Sequence, residues 1–290
     1  MKAQFKEKTF ETAFVGELRL MTKLLFAPDQ CDEFYLGFDA AAHIPWEFLP
    51  SILPFMRQRR WERLFGISAS EIGNFGSQLN DRLPPFKLNI FIQFKRNEYL
   101  KTSIAKEWSH WNTPYYRYKI EPQQQVLMAR IAEVAQGRAA SLYAAAALHL
   151  SNELFQHQVD ETVIENSNIV SAELLSGHKV FSYNTAGNFG VGHSDPKEIR
   201  SASIEKILEQ AREAEGLPFT QHVKETAKLL NEVSLSDKEI KRTLDLARKA
   251  ILGGEISEVY PRAEGSWFDA IVTMVAFNHA FRIRTCAISP

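Results

Sequence analysis

The chain has 290 residues, of which 45% are hydrophobic and 24% charged, as is typical of a globular protein with one large or two small domains. The formal net charge of −1 conceals an asymmetry, because residues 1–120 carry 17 basic and 13 acidic residues and residues 121–290 carry 17 and 22. A polyanion would therefore prefer the first part, although four excess charges make only a weak field. The first eight residues lack an apolar signal core and the longest apolar run is too short to span a bilayer, so we expect a cytoplasmic protein without membrane contact.

Apolar residues at helical spacing predict a first helix from about Phe10 to Leu25, with Glu17 beside the apolar stripe. A lone glutamate at such a position is most often solvated. The aromatic run from Glu33 to Ile44 is typical of a strand, and Asp39 interrupts it. A bulge or turn and a functional role are equally good interpretations of that aspartate.

Residues 45–86 form an insertion punctuated by prolines, and its middle is strongly basic. Basic side chains interleaved with an aromatic ring suit phosphate contact combined with base stacking. A solvated helix face is the commoner meaning of such a run, and both interpretations stay open. The candidate nucleic-acid-binding residues are Arg57, Arg59, Arg60, Trp61 and Arg63.

The stretch from Lys87 to Lys95 predicts an interior strand. It has apolar residues on one face and a partly apolar second face that carries Gln93 and Lys95. An amide and an ammonium are rarely buried without partners. The end of this strand is therefore a candidate site.

Further elements follow in an order that favours an α/β (α+β) protein. We expect strands at 115–120 and 141–148, with a helix from Pro122 to Gly137 between them. Residues 151–290 are predicted to be mostly helical. Their predicted helices run over 195–216, from a Ser236–Glu239 capping box, and from a Ser266 cap over 267–281.

Glu17, Asp39 and the pair Gln93-x-Lys95 together resemble the PD-(D/E)xK nuclease superfamily, in the D…QxK branch of restriction and anti-phage defence effectors. The resemblance covers roughly residues 10–148. It departs from the common pattern in two ways: glutamine replaces the second carboxylate, and Asp39 and Gln93 are 54 positions apart.

The resemblance implies a restriction-endonuclease-like mixed sheet flanked by helices. Residues 1–150 would form a nuclease core carrying the 45–86 insertion, and 151–290 a helical region for assembly or partner docking. It also implies a Mg²⁺ site, or a Mn²⁺ site, made of Asp39, the Gln93 side-chain oxygen and the Phe94 backbone carbonyl. An acidic residue of the first helix completes the site, either Glu11 or Glu17, and Lys95 meets the attacking water or the phosphate.

The predicted function is therefore a metal-dependent nuclease of a bacterial defence or restriction system. DNA is the preferred substrate, with RNA as the alternative. The partners expected from the resemblance are a second copy of the chain or another protein of the defence system. The competing interpretation is a catalytically silent module that binds nucleic acid or a partner on the same fold.

Overall fold

The computed structural model of the chain describes residues 1–28, 69–135, 137–251 and 265–290. Over these ranges helices accompany two five-stranded sheets, so the predicted α/β class is confirmed. No helix within these ranges is long and apolar enough to cross a membrane. The chain forms two compact units, one of residues 1–22 and 91–210 and the other of 23–90 and 211–290. The predicted division at residue 150 thus falls inside the first unit.

The described helices are α1 Glu7–Leu20, α2 Ala69–Arg82, α3 Trp108–Trp111, α4 Pro122–Ala135, α5 Ser151–Val159, α6 Ile204–Glu213, α7 Phe219–Leu235, α8 Lys238–Ile251 and α9 Trp267–Phe281. The described strands are β1 Leu24–Phe26, β2 Leu88–Lys95, β3 Glu98–Leu100, β4 Tyr115–Lys119, β5 Ala139–Ala146, β6 Ser167–Ser171, β7 Val180–Tyr183, β8 Phe189–His193, β9 Lys197–Arg200 and β10 Arg284–Ser289. A short 3₁₀ helix covers Ala172–Leu175.

The first unit contains the end of β2 from Phe91 onward, which continues into β5 and β6 in the strand order β2-β5-β6. Its other sheet has the order β3-β4-β7-β8-β9, with every neighbouring pair antiparallel. Helix α1 packs on β2 through aromatic edges, since the Phe10 and Phe14 rings lie 5.7 and 5.4 Å from the Phe94 ring. Because strand side chains alternate, Gln93 and Lys95 lie on the opposite face from Phe94.

The second unit contains the beginning of β2 up to Ile90, in the strand order β1-β10-β2. Strands β1 and β10 are antiparallel, with Leu25 opposite Ile288. Helix α9 is almost entirely buried and packs against α7 and α8. The Ser266 hydroxyl accepts a hydrogen bond from the Asp269 amide at 3.3 Å, so the predicted cap of this helix is confirmed.

The structure corrects two predicted helices. The first helix ends at Leu20 and not at Leu25, because residues 24–26 pair with β10 as a strand. The helix predicted over 195–216 is wrong in its first part, where Lys197–Arg200 pairs with β8; helix α6 begins only at Ile204. Residues 24–26 pair with a strand at the other end of the chain, whereas residues 197–200 form a hairpin with the neighbouring strand β8. In both places pairing in the sheet outweighs the helical pattern of the segment itself. The region after residue 150 consequently contains five of the ten described strands.

Helix α8 begins with a different cap from the one predicted. The Asp237 carboxylate accepts hydrogen bonds from the Glu239 and Ile240 amides at 2.7 and 3.2 Å. The Ser236 hydroxyl instead donates to the Val233 carbonyl at the end of α7. Aspartate is the stronger acceptor at this position, because its negative charge also complements the helix dipole.

Strand β2 carries a buried amide, Asn89, and only one assignment of donors and acceptors satisfies its hydrogen bonds. The Thr226 hydroxyl donates its single proton to the His222 carbonyl, so it accepts from the Asn89 amide nitrogen at 2.9 Å. The Asn89 oxygen therefore accepts from His222 Nε2 at 3.0 Å, so this ring nitrogen carries a proton. Burial lowers the pKa of His222 to about 4.

This histidine predicts a loss of stability in mild acid. The unfolded chain takes up a proton near pH 6.5, whereas the folded chain resists protonation of His222 down to about pH 4. The free energy of unfolding should therefore fall by about 3 kcal/mol as the pH is lowered through that range. The measurement is chemical denaturation at several pH values, with His222→Gln as the control that keeps a donor and does not titrate. Parallel pH curves for the two proteins would contradict the prediction.

Candidate functional site

The candidate site lies at the end of β2, where an interior strand carries polar side chains. Residues 88–94 of this strand are all buried, as the sequence pattern predicts. The Gln93 side chain is 3% exposed, and Lys95 is half-buried beyond it. A buried amide with no hydrogen-bond partner costs about 1–3 kcal/mol, so this strand end requires specific partners.

Helix α4 supplies the partner through Gln124, which stands in its first turn. Lys95 Nζ donates to Gln124 Oε1 at 2.7 Å, and Gln124 Nε2 donates to Gln93 Oε1. Gln93 Nε2 in turn donates to the Phe94 carbonyl at 2.9 Å. Because an ammonium group can only donate, the orientation of both amides follows from Lys95. The result is a directed chain of hydrogen bonds from the ammonium to the backbone of β2.

The charge of Lys95 is held in a partly dehydrated environment. Burial lowers the pKa of its ammonium, while the negative charges of Glu7 and Glu121 oppose that shift. The ammonium also lies 5.4 Å from the centre of the Tyr143 ring, within reach of a cation–π interaction. The Tyr143 hydroxyl is buried and has no hydrogen-bond partner among the described residues. Burial, with Glu121 nearby, raises the pKa of that phenol.

Glu17 does not share this hydrogen-bond chain. Its Oε2 atom accepts from the Val163 amide and, at 3.1 Å, from the Ile164 amide, so the carboxylate holds the turn before β6. Burial raises the pKa of Glu17, and the two amide hydrogen bonds oppose that shift. Glu11, the alternative on the same helix, is buried and pairs with Lys8 at 3.0 Å. Neither glutamate hydrogen-bonds to Gln93 or Lys95 in the part of the chain that the structure describes.

Several predicted site residues lie outside the described residues. These are Asp39 and the basic segment Arg57, Arg59, Arg60, Trp61 and Arg63. Among residues 1–28, 69–135, 137–251 and 265–290, no three carboxylate, histidine or cysteine side chains gather as a metal site.

The donors that the structure does describe fit a hard cation in their chemistry. Gln93 Oε1 and the Phe94 carbonyl are neutral oxygens of the type that Mg²⁺ accepts beside carboxylates. Each already accepts one hydrogen bond from an amide, and each carbonyl oxygen has a second lone pair. Gln93 and Phe94 could thus serve as ligands only as a supplement to a charged group.

Sequence reasoning missed Gln124 and Tyr143. Three consecutive glutamines follow Pro122, and periodicity alone does not distinguish them. In the structure Gln123 is exposed, Gln124 reaches Lys95, and Gln125 bonds to the Ala172 carbonyl. The helix of Gln124 follows β4, and β3, α3 and β4 separate it from the candidate strand, so no local signal in the sequence links Gln124 to Lys95.

Comparisons with protein-family models, with curated proteins and with solved structures find no match to this chain. The resemblance to PD-(D/E)xK nucleases consequently depends on the quoted residues alone.

Substitution can separate the structural role of Glu17, as the acceptor of two amide hydrogen bonds, from its predicted role in the metal site. Glu17→Gln keeps one carbonyl-type acceptor for the two amides, whereas Glu17→Ala leaves both without a partner at a cost of about 1–3 kcal/mol. We expect Glu17→Ala to lower the melting temperature, Glu17→Gln to lower it less, and neither to alter, per folded molecule, the DNA cleavage that the resemblance predicts. Thermal melts and cleavage assays on the same samples make the test. If cleavage is lost in a stable Glu17→Gln protein, Glu17 belongs to the catalytic site.

Proposed function

We propose that this chain is a metal-dependent nuclease that hydrolyses phosphodiester bonds, with DNA as its substrate. The observation that carries the proposal is the half-buried Lys95 ammonium, oriented by Gln124 and Gln93 at the end of an interior strand. A folded domain gains little from dehydrating a lysine, because the desolvation cost is rarely recovered in full. A charge held in this way suits an anion that arrives during the reaction.

Each residue of the site has a separate task in the proposed reaction. Lys95 donates hydrogen bonds and positive charge to the scissile phosphate or to the attacking water. Its lowered pKa also lets it exchange a proton more readily than an exposed lysine. Gln93 and the Phe94 carbonyl contribute neutral oxygens, and Asp39 contributes the negative charge that holds the cation. When bound, Mg²⁺ or Mn²⁺ supplies Lewis-acid polarisation of the phosphate.

The wider setting is proposed from the resemblance alone. It indicates a DNA endonuclease of a bacterial restriction or anti-phage system, working in the cytoplasm. A second copy of the chain or a partner protein would control cutting, because an unregulated nuclease is toxic to its host.

A second function is favoured by one observation. The hydrogen bonds of Gln93 reach the Gln124 amide and the Phe94 carbonyl, so both candidate oxygen ligands already have partners within the protein. A polar network satisfied by its own residues is typical of a structural role. The competing function is therefore a catalytically silent module that binds nucleic acid or a partner protein on this fold.

Substitution of Lys95 tests the proposed chemistry. Lys95→Met should lower cleavage of plasmid DNA about a hundredfold or more, the usual loss when one transition-state donor is removed. The free energy of unfolding should change by less than about 2 kcal/mol, since relief of desolvation opposes the removal of the hydrogen bond to Gln124. The matched control is Lys101→Met, because Lys101 is exposed and also lies over a tyrosine ring, at 5.2 Å from the Tyr99 centroid. Equal cleavage by the two variants would contradict the role of Lys95.

Substitution of Gln93 distinguishes the metal-dependent nuclease from the catalytically silent module without an activity assay. In Gln93→Glu, one carboxylate oxygen can still accept from Gln124, but the other faces the Phe94 carbonyl where an amide donor stood. Without metal this apposition of two acceptors should cost about 1–3 kcal/mol. With a metal site present, Mg²⁺ should recover that loss by binding the folded state more tightly than in the parent.

The measurement is a series of melting curves against Mg²⁺ concentration for the parent, Gln93→Glu and Gln93→Leu. Gln93→Leu should be destabilised, because it leaves the Gln124 amide without its acceptor, and it should show no recovery with Mg²⁺. If the chain is instead a catalytically silent module, Gln93→Glu should stay destabilised at every Mg²⁺ concentration.

A further inference from the structure

The outward face of helix α8 carries a cluster of positive charges. Six exposed side chains line an open cleft of about 420 Å³ along this face: Lys238, Lys241, Arg242, Asp245, Leu246 and Lys249. Four of the six are cations and one is an acid. Residues 121–290 as a whole carry 17 basic residues against 22 acidic ones, so the positive cluster lies in a region that is acidic overall.

The periodicity of α8 explains why these charges share one face. Ile240, Leu244 and Ile251 recur at helical spacing on the inner side, and Leu244 is fully buried where α8 packs against α7 and α9. The residues at 238, 242, 245 and 249 recur at three or four positions on the opposite side. The Asp237 cap holds the first turn of the helix at the start of this face.

The cations of this face do not take part in ion pairs among the described residues. The neighbouring Arg248 pairs with Asp269 at 2.8 Å, which joins α8 to α9. By contrast, Lys238, Lys241, Arg242 and Lys249 form no ion pair within residues 1–28, 69–135, 137–251 and 265–290, even though Asp245 stands among them. Lys238 stands one turn from Lys241 and Arg242, and like charges at this spacing repel one another and lower helix stability by a few tenths of a kcal/mol per pair. An external anion would remove that repulsion.

We infer that this face of α8 binds the phosphate backbone of a nucleic acid. The cations extend from Lys238 to Lys249, or about 16 Å at 1.5 Å per residue, and a duplex presents one negative charge for roughly every 1.7 Å of its axis. Several phosphates therefore lie within reach of the lysine and arginine side chains. Interactions of this kind position the nucleic acid without reading its sequence. The choice of nucleic acid among polyanions rests on the proposed function.

Two other partners fit the face less well. A helix that lies on a membrane directs a broad apolar face toward the lipid, but the large apolar residues of α8 are turned into the protein except for Leu246, which is 56% exposed. A protein interface of useful affinity centres on buried aromatic or aliphatic anchors, and this face contains no aromatic residue. A charged, unanchored strip is the form expected for phosphate binding.

The test compares two variants of equal charge in the full chain. The first is Lys241→Gln, Arg242→Gln, Lys249→Gln on the α8 face. The matched control is Lys206→Gln, Lys224→Gln, Lys228→Gln, which removes three exposed cations elsewhere. Binding of a short DNA duplex is measured by fluorescence anisotropy across a salt series with chelator present, so that neither metal binding nor cleavage enters. Anionic vesicles serve as a second probe.

We expect the α8 variant to bind DNA more weakly and its plot of log affinity against log salt to flatten by about one unit for each phosphate that it no longer neutralises. The control variant should keep the slope of the parent. Equal slopes for the two variants would overturn the inference, as would a loss confined to vesicle binding. Loss of DNA binding in the α8 variant of a protein that never cleaves DNA would keep this inference and reject the proposed hydrolysis.

Discussion

The hydrogen-bonding requirement of two buried amides on strand β2 governs much of this structure. Asn89 and Gln93 lie on the same face of a strand that is covered on both sides, where an unsatisfied amide would cost about 1–3 kcal/mol. Each amide is met by a helix of its own unit: Asn89 by His222 and Thr226 of α7, and Gln93 by Gln124 of α4. The strand therefore specifies which polar residue of each helix must face it.

In both networks the donor and acceptor of every hydrogen bond are fixed, because one group in each network has only one possible role as donor or acceptor. At Asn89 the single proton of the Thr226 hydroxyl is already donated, which makes His222 Nε2 the donor to the Asn89 oxygen, and burial keeps the ring neutral by lowering its pKa to about 4. At Gln93 the Lys95 ammonium can only donate, which turns the oxygen of Gln124 toward it. The two networks differ in what they contain. The first encloses a neutral ring and is structural, while the second ends in a half-buried charge, which is costly to maintain for structure alone.

Helix α1 packs against β2 at some positions and carries its acidic residues at others. Its Phe10 and Phe14 rings pack edge-on against Phe94 and hold the helix against β2. Its Glu17 carboxylate is committed to the backbone before β6, while the charge of Glu7 at its start acts on Lys95. An acidic residue on the helix where the family pattern expects one is thus not evidence of a catalytic role until its hydrogen bonds are known.

The sequence by itself determined those parts of the protein that follow from local periodicity and from burial cost. It predicted β2 as an interior strand with a polar end, the segments β4, α4 and β5 in order, and the Ser266 cap of α9, because each depends on residues close together in the chain. It also singled out Gln93 and Lys95, since polar groups at the end of a buried strand stand out in any pattern. The structure decided that residues 24–26 and 197–200 are strands. The partner of the first lies at the other end of the chain, and the second forms a hairpin with β8 that the helical pattern of its own segment does not report. The structure likewise selected Gln124 from three adjacent glutamines and turned Glu17 away from Lys95. Hydrogen-bond partners of that kind are set by the packing of whole elements, which no local pattern records.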